Sequence, residues 1–141
     1  MPGKLAPGRP GDAAAAAVPV RPAAAGPVRK ELWTVDASLP AAAPAPGAAE
    51  LDSAAVTAVR AGGGHVLDSS HVVFPNGAVT LVLILAESHL AIHTWPEENL
   101  IAVDLFSCGA IDAERVAGEL VTALRLTDAR VRRVERGAAG R

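Results

Sequence analysis

Hydrophobic and polar positions change their spacing several times along the chain, and each change predicts a new element. Residues 48–61 repeat apolar side chains at helical intervals, and three glycines at 62–64 end that helix. Residues 129–135 (ARVRRVE) alternate as expected for an edge strand. The whole pattern predicts eight elements, in this order: strand 32–36, helix 48–61, strands 65–74, 79–86, 89–95 and 100–107, helix 111–126, and strand 129–135.

The order β-α-β-β-β-β-α-β predicts an α+β fold, a two-layer sandwich of a mostly antiparallel sheet with two main helices on one face. PNG at 75–77 is typical of a turn between two strands, and residues 38–47 (SLPAAAPAPG) predict a loop. In the second helix, Val116, Leu120 and Leu124 are expected to face the core.

Composition limits where that domain begins. The chain has 141 residues, enough for one ordinary domain, and half of it is hydrophobic, although much of that half is alanine. Residues 1–28 are mostly Ala, Pro, Gly and Val, with too little large apolar surface to offset their ordering entropy. We therefore expect a disordered tail at 1–28 and a single folded domain at 29–141.

Charge and cysteine content exclude several classes of partner. A formal charge of −2 provides no basic patch for nucleic acid. The apolar run at 79–86 has only the length of a strand, so no membrane span is expected. The single cysteine, Cys108, excludes internal disulfides and fits a reducing compartment, and no leucine-rich signal core is present. We expect a cytoplasmic protein.

The segment AESHLAIHTWPEENL, residues 86–100, concentrates reactive side chains in an otherwise bland sequence. A serine hydrolase would need a G-x-S-x-G elbow, which does not surround Ser88. His89 and His93 share one face of a strand or a helix, but that spacing alone is a weak indication of a metal, and no metal site is expected. Each side chain also has an ordinary interpretation: Ser88 as a turn residue, and Trp95 and Cys108 as core.

Two motifs taken together indicate a specific chemistry. ESHLAIHTWPE at 87–97, followed by DLFSCG at 104–109, resembles the bacterial and archaeal S-adenosylmethionine decarboxylases, which are pyruvoyl-dependent enzymes. That family carries E-S-H-x-x-x-H-T-W-P-E and D-x-F-[ST]-C-G, and here Ser88 and Cys108 stand at the family's separation. The resemblance covers roughly residues 29–136.

The resemblance implies that the chain cuts itself between Glu87 and Ser88. The products would be a β chain, residues 1–87, and an α chain, residues 88–141, that begins with a pyruvoyl group derived from Ser88. A serine hydroxyl attacks its own backbone only when a neighbour accepts its proton and the fold holds it at bonding distance. The pyruvoyl group would then act as an electron sink through a Schiff base with the substrate.

The resemblance also implies roles for five further residues. His93 would assist processing as a proton acceptor and donor, and Cys108 would be the catalytic proton donor. Thr80 stands where the family has a serine that supports processing. Phe74 would stack on the adenine of the substrate, and Glu97 would bind its ribose hydroxyls.

Two departures from the family pattern affect processing and the first strand. Gly77 is shifted by one position from the family's G-V-S-G, so with Thr80 in place of serine we expect slower cleavage. Asp36 is a loose counterpart of an acidic residue in the family's first strand.

The implied function is conversion of S-adenosylmethionine to its decarboxylated form and CO2 for spermidine synthesis, by a homo-oligomer of processed αβ units that we expect to be a dimer. One alternative keeps the pyruvoyl chemistry but acts on ornithine or arginine, and Phe74 and Glu97 favour the nucleoside substrate over it. A second alternative is an unprocessed regulatory subunit, which only the changed turn at Thr80 supports.

Overall fold

One antiparallel sheet organises residues 28–137, the part of the chain that this computed structural model describes. The predicted tail, 1–28, lies outside the described residues apart from Val28. The elements are β1 (Lys30–Ser38), α1 (Ala48–Ala61), β2 (Val66–Val73), β3 (Val79–Leu85), β4 (Ser88–Trp95), β5 (Leu100–Ser107), α2 (Ala113–Ala123) and β6 (Thr127–Arg136), with a 3-10 turn at Pro96–Glu98.

The six strands lie in the order β2-β3-β4-β5-β1-β6, and each assigned strand pairing is antiparallel. Strands β2 to β5 form a meander of consecutive hairpins, and β1 lies between β5 and β6. The predicted element order, the antiparallel sheet and the edge position of the last strand are confirmed.

The core lies between one face of the sheet and both helices. Strand residues at alternate positions on this face, such as Leu83 and Ile92, are fully buried, as are Leu51 of α1 and Leu120 of α2. Burying each such side chain stabilises the fold by about 1.5–3 kcal/mol. Because the inward residues of both helices belong to this one cluster, the prediction that both helices cover the same face is confirmed.

The second helix is shorter than the pattern predicted. It spans Ala113–Ala123 rather than 111–126, and Leu124 is its C-cap. Arg125 has a left-handed φ of 52°, which ends the helical path although Leu124 and Leu126 remain buried. The apolar spacing in the sequence therefore continues beyond the last helical residue, which is why the predicted helix is too long.

The glycine turn after α1 packs directly on the start of α2. A Cβ at Gly62 would lie 2.6 Å from Val116 Cγ2 and 2.8 Å from the Asp112 carbonyl oxygen. A Cβ at Gly64 would lie 2.6 Å from Ile111 Cδ1. The Asp112 N–H also donates to the Gly62 carbonyl at 2.9 Å. Only glycines permit this approach, which holds the start of β2 against the segment that follows β5.

No helix in the described residues covers the other face of the sheet, which we call the open face. Strand alternation and register assign its central residues on β3, β4 and β5. They are Thr80, Val82, Ile84, His89, Ala91, His93, Trp95, Ala102, Asp104 and Phe106. Trp95 is 38% exposed, so its ordinary interpretation as a core residue is wrong, and Phe74 is 43% exposed.

Candidate active site

The turn between β3 and β4 is short and strained. Leu85 pairs with Ser88, so Ala86 and Glu87 alone connect the two strands. Ser88 has a φ of 132°, a region that residues with a Cβ rarely adopt. Such a conformation costs on the order of 1–3 kcal/mol and persists only where the surroundings enforce it. The strain therefore lies at the residue that follows the predicted cleavage point.

Cys108 contacts the carbonyl group of the Glu87–Ser88 peptide bond. Its backbone N–H donates to the Glu87 carbonyl oxygen at 3.0 Å, and its Sγ donates to the same oxygen at 3.2 Å. The Ser88 hydroxyl in turn donates to Cys108 Sγ at 3.8 Å. Two donors on one carbonyl oxygen polarise the carbonyl and would stabilise an oxyanion formed there. We call Glu87, Ser88 and Cys108 the cleavage half-site.

The Glu87 side chain is buried and paired with His65. Only 6% of the side chain is exposed, against 63% for His65. Its Oε1 lies 2.7 Å from His65 Nδ1, and its Oε2 accepts the His65 backbone N–H at 3.1 Å. No motif in the sequence indicates this contact, because His65 precedes Glu87 by 22 positions and lies outside both motifs.

Thr80 and His93 form a second group of predicted residues. They face each other across β3 and β4, and Thr80 Oγ1 lies 3.2 Å from His93 Nδ1. The ring of Trp95 is tilted against His93, with 6.2 Å between centroids. The structure thus brings together the threonine and the histidine that the resemblance linked to processing.

Phe74 and Glu97 lie at the same end of the sheet as that pair. Asn76, in the turn after Phe74, donates from Nδ2 to Glu97 Oε2 at 3.3 Å. The turn closes through the Gly77 N–H, which donates to the Phe74 carbonyl at 2.9 Å, and Gly77 has a φ of 84° that glycine adopts without strain. We call the predicted residues at this end the histidine half-site: Phe74, Thr80, His93 and Glu97.

The two half-sites lie far apart within one chain. His93 stands five residues after Ser88 on β4. At about 3.3 Å per strand residue, this separates their Cα atoms by roughly 16 Å. Within a single copy the fold therefore does not bring Ser88 to His93, although the resemblance implies that His93 assists processing.

The histidines are also too spread out to bind one metal ion. His89 and His93 are four strand residues apart, roughly 13 Å. His89 stacks on Phe106, with 5.8 Å between ring centroids and 6° between planes. Within residues 28–137, no three His, Cys, Asp or Glu side chains are grouped to hold a metal.

None of the described helices is long and apolar enough to cross a membrane.

Comparison with known proteins gives one consistent result. Residues 33–137 match the family model described as S-adenosylmethionine decarboxylase. S-adenosylmethionine decarboxylase proenzyme 2 of Bacillus anthracis is 35% identical over 108 residues, which cover 76% of this chain and 84% of the relative. The S-adenosylmethionine decarboxylase proenzyme of Aeropyrum pernix is 39% identical over 93 residues, covering 65% and 67%. The crystal structure of the adenosylmethionine decarboxylase from Aquifex aeolicus superposes with a TM-score of 0.71 at 26% identity, covering 81% of this chain and 95% of that one.

Proposed function

The chain belongs to the S-adenosylmethionine decarboxylase family, and from this membership we propose that it is a proenzyme that converts its own Ser88 to a pyruvoyl group and then decarboxylates S-adenosylmethionine. The observation that carries the proposal is the contact of Cys108 with the Glu87 carbonyl beside a strained Ser88. The proenzyme names of the relatives favour this function over an ornithine or arginine decarboxylase and over an unprocessed subunit.

Self-cleavage begins at the Glu87 carbonyl carbon. Ser88 Oγ adds to this carbon while the N–H and S–H of Cys108 donate to the carbonyl oxygen, which becomes an oxyanion. The C–N bond to Ser88 then breaks, the nitrogen takes up a proton, and an ester joins the Glu87 carboxyl group to Ser88 Oγ. Removing the strained peptide link at Ser88 favours this exchange of an amide for an ester.

Elimination then separates the two chains. A base removes the Cα proton of residue 88, the Cβ–Oγ bond breaks, and Glu87 leaves as a carboxylate. The dehydroalanine that remains adds water and releases ammonia, which leaves a ketone at residue 88. His93 is the residue we assign to proton transfer in processing, and Thr80, 3.2 Å from His93 Nδ1, orients its ring.

A second copy of the chain completes the site. Suppose that two copies pack open face to open face, with a two-fold axis that lies between the sheets and passes next to Ala91, near the middle of β4. The first residues of β4 in one copy then lie opposite the last residues of β4 in the other. The histidine half-site of one copy then meets the cleavage half-site of the other. Ala91 and Ala102 support a close approach because they are small residues on this face. We therefore propose a dimer of processed αβ units with two shared active sites.

The residues around Ser88 fit a pyruvoyl group, which would supply a sink for the electron pair left on the substrate's α-carbon when CO2 departs. Cys108 is the residue we assign to return a proton to the substrate's α-carbon, and the 3.8 Å between its Sγ and Ser88 Oγ supports this role. Phe74 is exposed at the end of the sheet and offers a ring face to adenine. The Glu97 carboxylate accepts hydrogen bonds from the two ribose hydroxyls. The proposal includes a cytoplasmic location, which the single cysteine supports.

Intact mass spectrometry and CO2 release test this function directly. We expect the 14.3 kDa chain to become two fragments that meet at residues 87 and 88, with a carbonyl detectable by hydrazine. Ser88→Ala should remain one chain. The processed protein should release CO2 from S-adenosylmethionine and not from ornithine or arginine. A wild-type chain that stays whole, or turnover of an amino acid alone, contradicts the proposal.

Mixing two inactive variants tests the shared site. Ser88→Ala and His93→Ala should each remain uncleaved alone. When they are co-expressed in equal amounts, random pairing makes half of the dimers mixed, and about half of the His93→Ala chains should be cleaved. Failure of the mixture to cleave would refute the shared site.

A further inference from the structure

We propose that His65 is a positioning residue for self-cleavage, which holds Glu87 so that its carbonyl carbon stays within reach of Ser88 Oγ. This inference rests on the proposed function and adds a residue outside both sequence motifs.

His65 contacts both residues that precede the cleavage point. Its Nδ1 lies 2.7 Å from Glu87 Oε1, and its backbone N–H donates to Glu87 Oε2 at 3.1 Å. Its carbonyl oxygen accepts the Ala86 N–H at 3.0 Å. A carboxylate that is almost fully buried needs hydrogen bonds to both oxygens, and His65 supplies one to each. The Glu87 side chain is therefore fixed from both of its oxygens.

The backbone of His65 is itself held in place. The turn before it packs so closely that a Cβ at Gly64 would lie 2.6 Å from both Ile111 Cδ1 and Val59 Cγ1. Ile111 follows Cys108 by three residues in the loop before α2. His65 binds the side chain of Glu87, and Cys108 binds its carbonyl group. These two residues thus come from segments that pack against each other.

The hydrogen bonds from His65 fix the side chain of Glu87 and so restrict rotation of its peptide group. The attack requires Ser88 Oγ to approach the carbonyl carbon while both Cys108 donors remain on the oxygen. If the His65 ring is lost, the carboxylate keeps one backbone donor and gains freedom to turn, and the carbonyl turns with it. A misplacement of about 1 Å at a reacting centre costs up to roughly 100-fold in rate.

The rate of self-cleavage in cell-free synthesis, read by intact mass after quenching, tests the proposal. We expect His65→Ala to slow cleavage by roughly 10- to 100-fold. In His65→Asn the amide nitrogen is bonded to Cγ, as Nδ1 is in histidine, so it can donate to the same carboxylate oxygen. This variant should cleave within about threefold of the wild-type rate. His71→Ala, which alters a second exposed histidine, one that lies within β2, is the matched control and should cleave as the wild type does.

A double-mutant cycle separates positioning from a general effect on folding. Because His65 acts through the Glu87 carboxylate, His65→Ala should slow the Glu87→Ala chain by no more than about twofold. Thermal melts in the uncleavable Ser88→Ala background should show that His65→Ala leaves the fold intact. Equal slowing in both backgrounds, no slowing at all, or no rescue by asparagine would overturn the role of His65. A wild-type chain that fails to cleave would instead refute the proposed function.

Discussion

Replacing Ser88 by glycine should stabilise the uncleaved chain relative to replacing it by alanine. Both variants lack the hydroxyl and remain whole, so their difference isolates the backbone. At a φ of 132°, a residue with a Cβ is strained by on the order of 1–3 kcal/mol, and glycine is not. Glycine loses about 0.5–1 kcal/mol more conformational entropy on folding. The net advantage of glycine at position 88 is therefore about 1 kcal/mol.

Thermal and urea unfolding of the two purified variants measures that difference. For a domain of about 100 residues, 1 kcal/mol corresponds to a Tm shift of roughly 4 °C or more. Ser70 is the matched control, because it is exposed on β2 and is not among the residues with positive φ. There, Ser70→Gly should be less stable than Ser70→Ala by roughly 0.5–1 kcal/mol. The sign of the glycine effect should thus reverse between the two positions.

The reversal decides whether strain contributes to cleavage. If 1–3 kcal/mol is released as the peptide bond breaks, the rate gains up to a factor of roughly 5 to 150. Ser88→Gly could instead prove less stable than Ser88→Ala, by the same free energy of unfolding that separates Ser70→Gly from Ser70→Ala. That result would show that Ser88 is unstrained. Strain would then contribute nothing to cleavage, which would depend on the Cys108 donors, proton transfer by His93 and the positioning of Glu87.

Four further predictions concern the site and the core. Cys108→Ala, which keeps the backbone donor but loses the thiol, should slow cleavage by roughly 100-fold in the mass assay, and Cys108→Ser should recover part of the rate. Thr80→Ser should cleave a few-fold faster in the same assay, because the hydroxyl that faces His93 loses the restriction of the methyl group. Glu97→Gln should be cleaved at the normal rate but show a KM for S-adenosylmethionine raised by roughly tenfold, since one charged acceptor for the ribose is lost. Leu120→Ala should lower the free energy of unfolding in urea by about 2–5 kcal/mol, because Leu120 is fully buried; a loss below about 1 kcal/mol would contradict the observed packing.

The sequence was most informative where periodicity and motif agreed. Strand alternation predicted the element order, and the register of β4 with β5 explains why Ser88 and Cys108 meet: Ser88 pairs with Ser107 at the open ends of that hairpin. The contact of His65 with Glu87 was not predictable, because it depends on the β2–β3 register. That register shifts between Val66 and Asp68, an irregularity that the hydrophobic pattern does not encode.

The composition of β3 gives a physical reason for two copies to join. A sheet with one face in water alternates apolar and polar side chains, whereas β3 reads VTLVLIL and is apolar on both faces. Val82 and Ile84 lie on the open face, and Ile84 is 47% exposed in a single copy. Such a face gains stability when a partner covers it, at about 25 cal/mol per Å² of apolar area buried. Thr80 and His93 interrupt this apolar face with the polar pair that a covering copy would present to Ser88, so the proposed packing would bury the face and assemble the site together.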